Sequence, residues 1–394
     1  MMDHKSPVVI EPLVIGLDPI FIEHSYVSLG ISYRRREEVL LMKNRFSPLF
    51  FGLIIEVGLV GCTPRESALQ IDPSLIPSPT VDSVPSDNNP DTGNPGWNRA
   101  EGIDGPIYSL DWSPDGRWLA SAGWGQVIVW EAETGVVSHV LEEPESYIWS
   151  VAWAPEGDYL AAGGVDGVVR IWSAPEFFLE QGFGQRWVFC LAWSPGGDQL
   201  AVGYQGGDIE VFDWRSGEVL SHMRAGSLVI SLDWSADGEW LASGTLSGEV
   251  SVWDAATGEE MISFDDYTQA RSDANGVAWS PDGEMLASAH QDGIVRLWDV
   301  SQGEMLMELD GHLGWARGLA WSNDGRFLAS SGYDSNVIVW DARSGEIVTT
   351  YGGQTMPVWA VAWSPDNQMI ASGSGYYETT DLNGEIWVWE FSRP

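Results

Sequence analysis

Ile107-Tyr108-Ser109-Leu110-Asp111-Trp112-Ser113-Pro114-Asp115-Gly116 reads as a strand that runs into a turn. Through Trp112 the side chains alternate between apolar and polar, as a strand with one buried face requires. At the turn, Pro114 presets φ and Gly116 accepts a positive φ. Trp118 to Ala122 returns as a second strand and Val127 to Glu131 makes a third. After a Thr134-Gly135 turn, Val136 to Leu141 makes a fourth.

The pattern recurs seven times. Its first Trp stands at Trp112, Trp153, Trp193, Trp234, Trp279, Trp321 and Trp363, spaced 41, 40, 41, 45, 42 and 42 residues apart. Its closing aromatic is Trp130, Trp172, Phe212, Trp253, Trp298, Trp340 and Trp389. One four-stranded sheet cannot bury both faces alone, so copies must stack about an axis. A period in the low forties with four short strands per copy predicts an all-β fold, a seven-bladed β-propeller of four-stranded antiparallel blades. All 23 Trp fall at or after Trp97, and thirteen occupy the two repeat positions. Each buried indole removes about 200 Å² from water, or about 5 kcal/mol as an upper bound, so the core is ample.

These residues resemble the WD-repeat (WD40) family, propellers of the G-protein β-subunit type. Trp253-Asp254, Trp298-Asp299 and Trp340-Asp341 are copies of the family's name-giving pair, and Trp130-Glu131 and Trp389-Glu390 are close variants. Gly311-His312 matches the family's Gly-His pair, and Asp166, Asp292 and Asp334 match its turn acid. The resemblance implies a structural hydrogen-bond network in the sixth copy, formed by His312, Ser330, Asp334 and Trp340. It covers about residues 97–394. The seventh copy reaches Pro394 straight after its third strand, so Trp97 to Glu101 is expected to pair with the last blade and remove its exposed edge.

The front of the chain reads differently. Lys43 and Arg45 precede an apolar run from Phe46, which ends in Leu59-Val60-Gly61-Cys62. Basic, apolar, then small residues is the order of an export signal. Its ending in Cys resembles the bacterial lipoprotein signal, which implies lipidation at Cys62 and display on the extracytoplasmic face of the cell envelope. Glu56 interrupts the run, and a short core strand or interfacial segment is the other reading. The expected organisation is 1–41 as a mis-called upstream extension, with Met42 as the start, or a disordered segment, 42–61 as signal peptide, and 62–96 as the lipidated Cys62 and a linker rich in Pro, Ser and Asp. The propeller follows at 97–394. The linker composition cannot bury enough apolar area to fold. Membrane contact is expected through the lipid alone. Cys190 reads as a buried small residue of blade three.

From residue 97 onward 45 acids face 12 arginines, with no lysine. That balance argues against nucleic acid and favours basic partners. Many of the acids, such as Asp115, Asp237, Asp282 and Asp324, sit in the repeated turns, where turn chemistry accounts for them.

In the resembled family, the residues four and six before each first Trp reach the mouth of the central channel. Here they include Tyr108, Tyr147, Trp149, Trp187, Phe189, Trp315, Arg317 and Trp359. Tyr333, Trp124, and Tyr376 and Tyr377 from a blade-seven insertion join them. Trp, Tyr and Arg are the residue types of interaction hot spots. The reading is a non-catalytic, monomeric ring that binds a protein or peptide at this aromatic mouth. The alternative is a carbohydrate-binding, hydrolytic or oxidoreductase propeller using the same face. There is no Gly-x-Ser-x-Gly elbow, no His-Glu-x-x-His and no Cys/His cluster, so no cofactor or metal is expected. His139 and His222 are expected to be exposed residues of outer strands. His290, beside Asp292, is the one histidine expected to face the mouth with an acid nearby.

Overall fold

The computed structural model describes residues 95–99, 105–264, 272–376 and 384–393. Every regular element among them is a strand, and every pairing is antiparallel. There are five four-stranded sheets and one seven-stranded sheet. The third copy shows the plan of a blade: Val188–Trp193 innermost, then Gln199–Tyr204, Asp208–Asp213 and Glu218–Arg224 outermost. A ring of seven blades accounts for all the sheets, because the seven-stranded one is two blades joined. Its junction is Val136–Trp153, a continuous strand that is outermost in blade one and innermost in blade two. The expected end at Leu141 is therefore corrected. Glu142 still pairs with Gln126, and Tyr147 pairs with Trp124, so extended pairing carries past the expected end. The third strand likewise begins earlier than expected, as Trp124–Glu131.

The turn after the first strand is held by its own serine and acid in every copy but the second, where Ala154 replaces the serine. In copy one, Ser113 Oγ donates to Asp115 Oδ1 at 2.6 Å, and the amides of Arg117 and Trp118 donate to Asp115 Oδ1 and Ser113 Oγ. Ser235 and Asp237, Ser280 and Asp282, and Ser322 and Asp324 repeat the arrangement. Gly116 holds φ +71° there, and Asn367 takes the same left-handed role in copy seven at φ 60°. These bonds depress the pKa of Asp115, Asp237 and Asp324 against whatever burial adds. Part of the acidic excess is thus turn structure.

Blades meet through their inner strands. In four of the seven blades the first Trp donates from its indole to the carbonyl of the residue before the first Trp of the preceding blade. Trp193 reaches Ala152 O at 3.1 Å, Trp234 reaches Ala192 O at 3.0 Å, and Trp321 reaches Ala278 O at 3.0 Å. Each interblade space is packed with aliphatic residues and these indoles.

Pro95–Arg99 pairs with Glu385–Glu390 as the outer strand of blade seven, two residues upstream of the expected Trp97–Glu101. Trp97 is buried, lies 6.4 Å from the ring of Trp130 in blade one, and donates to Ala132 O at 2.7 Å. This is the contact pattern that a closed ring requires.

Candidate functional site

The sixth-copy network forms as the resemblance implied. Trp340 Nε1 donates to Ser330 Oγ at 2.8 Å, and that hydroxyl lies 2.8 Å from His312 Nε2. His312 Nδ1 stands 3.1 Å from both carboxylate oxygens of Asp334, whose second oxygen also accepts from the Leu313 amide. Burial opposes charge on Asp334, but the His312 hydrogen bond and the Leu313 and Asn336 amides hold its pKa below the ordinary value. These groups support the fold.

His290 is a correction. It is 2% exposed and does not face the mouth. Ser288 and His290, two apart on one strand, share a face. Ser288 Oγ lies 2.8 Å from His290 Nε2 and accepts from Trp298 Nε1 at 2.7 Å. The far ring nitrogen meets the Ser272 carbonyl at 3.4 Å, so blade five builds the blade-six chain with a carbonyl in place of the carboxylate. Asp292 is instead engaged by the buried Arg296 at 2.7 Å. His222 is exposed on its outer strand and Cys190 is buried, as expected; His139 lies on an outer strand but is half-buried rather than exposed.

The aromatic residues singled out in the sequence fall into two groups. One is an arc of six rings: Trp124, Tyr147, Tyr108, Trp359, Tyr333 and Trp315. Successive centroids are 4.4, 6.0, 5.5, 5.4 and 4.7 Å apart. Arg317 lies over the Trp359 ring at 4.0 Å and reaches Asn275 Oδ1 at 3.4 Å. Burial pushes the Tyr108 phenol up and the Asp273 carboxyl up to about 6, the latter opposed by Arg317. The second group is Trp149, Trp187 and Phe189, with Trp149 3.8 Å from Phe189 and 6.4 Å from Trp187.

All nine rings except Trp359 are half-buried. Trp359 is 9% exposed and donates to the Gly375 carbonyl at 2.8 Å, so within the arc it is a packed ring rather than a docking residue. Tyr376 is exposed, whereas Tyr377 lies outside the described residues, as does Cys62. Leu313, 94% exposed and two residues from Trp315, was not foreseen.

The sequence reading also passed over Asp111 and Asp233. In the other five copies the residue before the first Trp is alanine. Each Asp accepts from the amide of the next blade's first Trp, Trp153 and Trp279, at 2.7 Å. The indole nitrogens of those same two Trp, and of Trp363, are buried without a hydrogen-bond partner. Burial pushes both carboxyls up to about 7, and the charge of Asp233 adds to the shift at Asp111.

Among family models, one described as WD domain, G-beta repeat matches residues 100–131, 135–173, 217–254, 303–341 and 345–390. The chain carries WD40 repeats. A second model, for the anaphase-promoting complex subunit 4 WD40 domain, matches 170–232 and 266–313, spanning the copies that the first leaves out. No curated protein matches the chain. After the first, each WD40 match begins on or beside the outer strand of one blade and ends on or just past the third strand of the next. Repeat and blade are therefore out of phase by one strand, and an N-terminal strand is what blade seven needs. WD40 repeats generally serve as protein-interaction scaffolds.

Proposed function

We propose that this WD40 ring is a non-catalytic scaffold that binds a protein or peptide at the aromatic mouth, and that it is held at the envelope surface by a lipid on Cys62. The observation that carries the first half is the arc from Trp124 to Trp315, in which five half-buried rings flank the buried Trp359. Half-buried rings in mutual contact offer large area with little side-chain entropy left to lose on binding. Leu313 and Tyr376 extend apolar surface beside it. A net charge of −38 favours a basic partner, through faster encounter more than through affinity. Tethering rests on the basic, apolar, Gly61-Cys62 order of the front segment and its Pro-rich linker.

Capture of partners by the full chain, compared with a Trp149→Ala/Trp315→Ala double variant, tests the mouth. Loss of partners at unchanged melting temperature is expected; recovery of the same set would overturn the assignment. Binding on a glycan array would move the reading to carbohydrate recognition. Metabolic labelling with a lipid precursor tests the anchor: label on the wild type and none on Cys62→Ser is expected.

A further inference from the structure

The two aromatic groups of the mouth differ in how their cation-binding faces are used. On the larger arc, Arg317 lies over Trp359 at 4.0 Å. Elsewhere Arg117 covers Trp118 at 4.5 Å, Arg215 covers Trp214 at 4.4 Å, and Arg326 covers Phe327 at 4.9 Å. The chain thus places arginine on its rings repeatedly. None of the described arginines covers Trp149 or Trp187. Those two indoles are half-buried and meet at 86°, with centroids 6.4 Å apart, so they form a corner of two π walls. Phe189, 3.8 Å from Trp149, braces that wall.

A ring face carries negative charge density, and Trp attracts cations more strongly than Tyr or Phe. A planar guanidinium suits such a corner. It stacks flat on one indole while an edge N–H points at the other, which a compact ammonium cannot do. With 45 acids, 12 arginines and no lysine from residue 97 onward, the surrounding field draws cations in and supplies few of its own to compete.

We infer that the Trp149–Trp187 corner is a receptor for an arginine side chain of the partner protein. The inference rests on the proposed use of the mouth and narrows it to one contact and one residue type.

The test is biolayer interferometry with the full chain over immobilised nine-residue Gly/Ser peptides that carry one central arginine, lysine or citrulline. Citrulline keeps the shape of arginine and removes its charge. The arginine peptide is expected to bind at least about tenfold tighter than citrulline, with lysine between them. Trp149→Ala and Trp187→Ala leave the charge of the protein untouched, so they separate the corner from bulk attraction. Each is expected to weaken arginine binding about tenfold, whereas Met261→Ala, on an outer strand, leaves it unchanged. Equal binding of arginine and citrulline, or arginine binding indifferent to both Trp substitutions, overturns the inference. Partner capture by the wild-type mouth would stand through either result, so failure here is distinct from failure of the scaffold reading.

Discussion

Trp112 donates from its indole nitrogen to the carbonyl of Ala362 at 3.3 Å, across 250 residues of sequence. It is the bond that joins three other pairs of neighbouring blades, made here between the first blade and the seventh. The blade-one to blade-seven contact must wait until the whole chain has been ordered, since long-range contacts repay loop entropy last. Stability of the ring should therefore be sensitive at this seam.

Trp97 locks the seam from outside, and Trp97→Ala removes a buried indole together with its bond to Ala132. The expected cost is about 3–5 kcal/mol. Gly135→Ala should act on the same contact from the other side. Its new Cβ would lie 2.6 Å from the Trp97 ring, at a residue with φ +65°. Calorimetry should show both variants melting at least about 5 °C below wild type.

Asp111 and Asp233 make stability depend on pH. With pKa values pushed up to about 7 in the fold, each binds its proton more tightly folded than unfolded. Their contribution is complete below the ordinary carboxylate pKa and is lost as pH rises through 7. Asp334 works the other way: its contribution is present above the ordinary value and is lost as pH falls through its depressed one. The melting temperature should peak on the acid side of neutrality. Asp111→Asn keeps an acceptor for the Trp153 amide and removes the ionisation. It should raise the melting temperature at pH 8, by about 1–3 kcal/mol of stability, and change little at pH 5.

Trp359 and Trp149 occupy equivalent repeat positions but should answer differently to alanine. Trp359 is buried, bonded to Gly375 and covered by Arg317, so its loss should cost about 3 kcal/mol or more and lower the melting temperature. Trp149→Ala should leave melting within about 2 °C of wild type and weaken partner binding. Melting curves and capture, measured on the same two variants, check the contrast.

His312→Ala would strip the Ser330 hydroxyl of its acceptor and leave Asp334 without its imidazole. A loss of about 2–3 kcal/mol is expected in chemical denaturation. Partner binding should be unaffected in the folded protein, because His312 is buried.

The fold was legible because each copy repeats two large buried aromatics and one turn chemistry. Seven noisy instances of Trp-Ser-Pro-Asp-Gly outweigh departures such as Phe212 in any single copy. The sixth-copy network was legible for the same reason. His290 was misread because its proximity to Asp292 in sequence was weighed, when its i, i+2 relation to Ser288 put both on one face. The signal for Asp111 and Asp233 was also present, as two acids in a column of alanines, but the repeated Trp beside them dominates the pattern. The burial of Trp359 was beyond reach, since it depends on where the Gly375 carbonyl falls after blade seven turns back. Likewise nothing in Val136 to Trp153 announces that one strand would serve two blades.

The one-strand offset between repeat and blade has a consequence for how such a ring can change over time. Each copy lends its leading strand to the neighbour before it, and Pro95–Arg99 performs that service for the final sector. Duplicating or deleting one whole copy would alter the number of sectors and still leave the two ends holding matching halves of a join. Wheels of different circumference are thus reachable by single genetic steps, with no new fastening to be invented.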